Sequence, residues 1–120
     1  ALGEGLQDFQ ARGIQRVVMQ RHVPGVVYKF YGVRNGFFHC VPAEGGTLPP
    51  DDVLQGMAQL GAQAAAALGV EVYGGDCIHQ PDGSLMLIDL NDWPSYARCR
   101  DAAAEAIAAY LLARESETTP

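Results

Sequence analysis

Apolar positions fall along the chain in two rhythms, and the changes between them mark out its elements. In "LGEGLQDFQARG" Leu2, Leu6 and Phe9 share one helical face and Gly13 offers a stop, so the spacing predicts a short helix. "IQRVVMQRHVPG" is β-branched and closes on Pro24-Gly25. "VVYKFYGV" and "FFHCV" then flank Asn35-Gly36, a two-residue hairpin signal because both positions of such a turn need positive φ. Three successive strands are expected here. After the loop "AEGGTLPPDD", the acidic pair Asp51-Asp52 favours a helix start; Val53, Leu54, Met57, Leu60, Ala64 and Leu68 recur at helical spacing until Gly69. "VEVYGGDCIHQ", the turn "PDGS" and "LMLIDLN" form a second hairpin with apolar residues on both faces, the pattern of strands covered on two sides. Residues 98–115 are an Ala-rich helix with Ile107, Tyr110 and Leu111 as its packing stripe. Residues 116–120 read as a frayed tail.

This order predicts one α+β domain over residues 1–120, with a largely antiparallel sheet of about five strands, two hairpins, and helices packed on one face. A chain of 120 residues, 48% hydrophobic and 18% charged, can bury a core of that kind. The formal charge of −6 argues against nucleic acid as a partner, since tracking phosphates requires clustered Lys and Arg. The apolar runs are too short for a bilayer and no signal peptide is readable, so no membrane partner is expected and a cytoplasmic protein is the default. Cys40, Cys77 and Cys99 are odd in number and widely spaced, which suits reduced structural thiols.

The second hairpin gathers the candidate chemistry. Counted back from a two-residue Asp82-Gly83 turn, the register sets Asp76 opposite Asp89 and Gly74 opposite Asn91, with all three oxygen-bearing side chains on one face. Opposed carboxylates repel, so the pair calls for a shared proton, a cation or a metal; two carboxylates and an amide oxygen suit Mg²⁺. The bland alternative is that Asp89 and Asn91 cap an exposed strand before Pro94 and that Asp76 is solvated. Gly74 and Gly75 leave space beside the trio. Lys29 reads as an exposed strand charge unless it shares that face, where it would bind phosphate or carboxylate. His22, His39 and His79 lack metal-ligand spacing, and no GxSxG, Walker A or CxxC pattern is present.

The stretch "LGVEVYGGDCIHQPDGSLMLIDLNDWPS" resembles the metal-binding end of ATP-grasp enzymes, the superfamily of glutathione synthetase, D-alanine:D-alanine ligase and the ribosomal-protein glutamate ligases. The resemblance covers residues 14–95 and implies the C-terminal ATP-grasp subdomain, with Asp76, Asp89 and Asn91 as Mg²⁺ ligands. "VVMQRHVPG" is similar to the family's hinge strand, which implies that Gln20, Arg21, His22 and Val23 receive the adenine and ribose of ATP. "VVYKFYGVRNGFF" is similar to its basic hairpin, which makes Lys29 the catalytic residue contacting transferred phosphate. The implied activity is ATP-dependent joining of a small-molecule or peptide carboxylate to an amine through an acyl-phosphate. A small-molecule kinase of the same fold, or a stand-alone, non-catalytic binding or dimerising fragment, are the alternatives. The family's preceding subdomain has no counterpart in these residues, so a homodimer or a partner chain supplying it is expected. "NDWPSYARC" departs from the family's usual Gly after Pro; Trp93 and Tyr96 either wall an acceptor pocket or, the preferred reading, pack against the C-terminal helix.

Overall fold

The computed structural model of the chain describes residues 2–118. Seven elements follow in order: α1 (Leu2–Ala11), β1 (Val26–Val33), β2 (Phe38–Pro42), α2 (Asp51–Leu68), β3 (Val72–His79), β4 (Leu85–Asp92) and α3 (Arg100–Thr118). The strands form one antiparallel sheet in the order β2-β1-β3-β4, so the α+β class stands, with four strands where about five are expected. The missing strand is the β-branched run before Pro24. It stays irregular because nothing buries its side chains: Val18 is 88% exposed and Met19 68%.

Both hairpins turn on three residues, Arg34-Asn35-Gly36 and Pro81-Asp82-Gly83, where two are expected. Gly36 and Gly83 donate their N–H groups three residues back, to Val33 and Gln80, and only these glycines among the turn residues take positive φ. A type I turn closed by a left-handed glycine suits Pro81, whose fixed φ matches the first central position. Asp82 braces the second turn, its Oδ1 accepting the Ser84 N–H at 2.9 Å and the Ser84 hydroxyl at 2.6 Å. These bonds hold its carboxyl below the usual range.

The extra turn residue would shift every later pairing by one, yet Asp76 still faces Asp89 and Gly74 still faces Asn91. A bulge makes up the difference. Cys77 pairs with Leu87 and Asp76 with Asp89, which leaves Ile88 as the extra residue of β4. Leu85, Leu87 and Leu90 all reach the α2 side of the sheet, a switch from even to odd spacing that only such an insertion allows.

On that side Tyr28, Phe30, Cys40, Tyr73 and Cys77 pack against Met57 and Ala65 of α2. Phe30 is fully buried, stacked on Phe38 at 5.9 Å and edge-on to Tyr73 at 6.5 Å. The expected α2 stripe holds except at Leu68, which is 67% exposed. The helices divide between the two faces. Tyr31, which alternates with Phe30, meets Cys99, Ala103 of α3 and Tyr96 on the other side. Arg114 and Arg34 both pair with Glu71, tying α3 to the sheet, while Leu111 stays exposed rather than packed. Residues 116–118 continue α3, with the Ser116 hydroxyl donating to the Leu112 carbonyl, so the expected fraying there is not seen; residues 119–120 lie outside the described residues. Among the described residues no helix is long and apolar enough to cross a membrane.

All three cysteines are free and buried. Burial, with a further contribution from the Cys77 charge, pushes the Cys40 thiol up to about 11, and burial raises Cys77 and Cys99 as well. Because the folded thiols stay protonated while those of the unfolded chain ionise near pH 8.5, their contribution to stability is intact below that value and declines as pH rises through it. Iodoacetamide at pH 8 should therefore leave the folded protein essentially unlabelled and modify all three thiols in denaturant. Rapid labelling of the native chain would contradict this burial.

Candidate functional site

The sheet face opposite α2 is only partly covered by α3. Its open part is built from alternate residues of β1 (Val27, Lys29 and Tyr31) and β3 (Gly74, Asp76 and Ile78), with the bulge residue Ile88 and then Asp89 and Asn91 on β4. Lys29 is paired with Asp76 across β1 and β3, and Asp76 with Asp89 across β3 and β4. The expected trio and the lysine thus share one cleft of about 190 Å³, together with Tyr31, Pro94 and Ser95.

The repulsion expected between Asp76 and Asp89 is relieved from both sides. The Lys29 ammonium donates to Asp76 Oδ1 at 3.1 Å, and the Asn91 amide donates to Asp89 Oδ2 at 2.8 Å. Lys29 is therefore not a lone edge charge. Each carboxylate keeps a second oxygen free of these bonds, and the Asn91 amide oxygen is likewise uncommitted in them. Among the described residues no three His, Cys, Asp or Glu side chains gather as a metal site. Two carboxylates and one amide oxygen can still hold a hard cation that takes its other ligands from water and phosphate, so the donor set fits Mg²⁺.

The glycines beside the trio serve the protein's own packing. A Cβ on Gly74 would lie 2.7 Å from the Pro94 ring, which fills the space expected for a ligand, and one on Gly75 would strike the Asp89 carbonyl. Pro94 on Gly74 anchors the segment that carries Ser95 to the cleft and Tyr96 to the core. The Tyr96 hydroxyl donates toward the Gly32 and Tyr73 carbonyls, both at 3.3 Å, and burial, reinforced by Cys99 and Tyr73, pushes its pKa up to about 12. Tyr96 is a packing residue.

A second, larger cavity of about 780 Å³ adjoins the cleft on the same face. Gln20, Arg21, His22 and Val23 line it, as do Val27, Ile78 and Ile88. Val27 and Ile78 lie two residues from Lys29 and Asp76, roughly 7 Å along their strands. The Gln20 side-chain amide donates to the Ile88 carbonyl at 3.4 Å, joining the irregular segment to the bulge. Glu44 and Gly45, from the loop after β2, also reach this cavity and are absent from the sequence reading, because nothing in their local pattern marks a loop that folds back over a sheet. Tyr31 and Ile88 could have been found: Tyr31 is two residues past Lys29, and the phase change between Leu87 and Leu90 signals the bulge.

No family model matches this chain, and no curated protein matches it. Among solved structures it is similar to macrocyclase MdnB from Microcystis aeruginosa MRC, with a TM-score of 0.52 and 22% identity. The match covers 91% of this chain and 44% of that one, so the chain spans less than half the length of that protein. At this identity the likeness concerns the fold alone.

Proposed function

We propose that the open sheet face binds a nucleotide with Mg²⁺ and belongs to an ATP-dependent ligase that joins a carboxylate to an amine through an acyl-phosphate. The observation that carries the reading is the convergence of Lys29, Asp76, Asp89 and Asn91 in one cleft, next to a cavity large enough for a base and ribose. Asp76, Asp89 and Asn91 would hold the metal, which supplies charge neutralisation at the phosphates. Lys29, already set on this face by its pairing with Asp76, would turn toward the transferring phosphoryl group. Val27, Ile78 and Ile88 offer the base an apolar floor, with Gln20 to Val23 along its edge. No protein nucleophile is required, because positioning and electrostatics account for the chemistry.

Both cavities are open, and the segment that borders the larger one exposes Val17, Val18 and Met19. The reading therefore includes a further stretch of polypeptide, from the same gene product or a partner chain, that closes over the nucleotide. Calorimetric titration with ATP tests the first step directly. Saturable heat is expected with Mg²⁺ and should vanish when EDTA replaces the metal; no heat under either condition overturns nucleotide binding by this chain.

A further inference from the structure

Trp93 is the one non-glycine residue with positive φ among the described residues, at 45°. That conformation suits glycine or asparagine and is strained for a bulky side chain; a following proline restricts it further. The turn itself is well held, since the Trp93 N–H donates to the Val72 carbonyl at 3.0 Å and Pro94 is seated on Gly74. Yet the indole contributes little to that hold: Trp93 is 63% exposed and lies outside the cluster that Tyr31, Tyr96 and Cys99 form with Ala103 of α3, where the preferred reading expected packing. The backbone calls for a small residue and the exposure for a polar one. Tryptophan satisfies neither, which directs attention to something outside the chain that the ring touches.

Its place just past the end of β4 indicates what. Ile88 lies under the larger cavity, Asp89 and Asn91 face the cleft, and Trp93 follows at the end remote from Ile88, about 15 Å along the strand. On the nucleotide reading above, on which this inference rests, that is the order base, metal and phosphate, then reacting substrate. We propose that Trp93 determines acceptor specificity, its exposed indole stacking on an aromatic ring carried by the amine substrate. Asn91, Pro94 and Ser95, its neighbours on either side in the chain, line the cleft.

Because Trp93 is the single tryptophan of the sequence, its emission reports the site without labelling. The full chain, with MgATP present, is titrated with phenylalaninamide and with alaninamide, which share an amine and differ by a ring. Phenylalaninamide should shift and quench the emission saturably and bind about tenfold tighter than alaninamide. In Trp93→Gly, ligand-observed NMR should find the two amides equal. Its thermal midpoint should be unchanged or higher, since the backbone strain is relieved. A midpoint lower by more than about 4 °C would make the indole structural and overturn the proposal. Equal binding of the two amides to the parent protein would overturn it too. If the parent gives heat with MgATP but does not discriminate the amides, only this inference falls. If it discriminates the amides without binding MgATP, the ligase reading falls and ring recognition by Trp93 stands.

Discussion

Gly75→Ala should be the most damaging single-methyl substitution in the sheet, lowering stability by about 3 kcal/mol and the thermal midpoint by roughly 10 °C. Its Cβ would lie 2.0 Å from the Asp89 carbonyl oxygen and 2.9 Å from the edge of the Phe30 ring. Neither neighbour can yield cheaply. The carbonyl is backbone, brought over Gly75 by the bulge at Ile88, and Phe30 is fully buried at the centre of the α2 core. Relief requires β4 to lift away from β3 at Asp89, so affinity for MgATP should weaken together with stability. Gly3→Ala is the control, since a Cβ there meets nothing and alanine favours the helix. Circular-dichroism melts of the two variants decide the matter: a Gly75→Ala midpoint equal to the parent's would show that β3 and β4 are not packed as described.

Asp89→Ala should lower MgATP affinity at least about a hundredfold while leaving the fold intact. The binding loss follows from removing a charged oxygen ligand from a set that holds only two carboxylates, with at least about 2.7 kcal/mol corresponding to the expected factor. The small effect on stability has a separate basis. Asp89 is exposed, and its loss also removes a like charge from opposite Asp76. Asn91 gives up its bond to Asp89 Oδ2 but remains in contact with water. Calorimetry and a melt on the same preparation separate the two quantities. Unchanged affinity in a folded variant would remove Asp89 from the site, and a collapsed midpoint would assign it a structural role instead.

Short-range features were legible in the sequence. The α2 stripe, its end at Gly69 and the two hairpins follow from spacing and turn residues alone, because those signals act within a few residues. The cross-strand partner of Asp89 was also legible, although by two errors that cancel. The turn holds three residues instead of two, and the bulge restores the count. What escaped were features set by distant packing. The β-branched run at Ile14–Val18 carries strand propensity but meets no surface that would bury it. α3 lies on the opposite face from α2 because Tyr31, Tyr96 and Ala103 meet there, and nothing near those residues in the sequence encodes that meeting. Lys29 depended on topology in the same way: its partner Asp76 stands 47 residues away.

The bulge at Ile88 has a consequence for how this molecule meets others of its kind. β4 is an edge strand of the sheet, and a straight edge strand would offer its unpaired N–H and C=O groups to any extended chain. Ile88 breaks the even spacing of those groups halfway along, and Asp89, Asn91 and Asp92 surround the break with polar side chains. A second β4 laid alongside could match only half of its length before falling out of step. The same inserted residue that brings Asp89 opposite Asp76 therefore guards the sheet against growing from copy to copy.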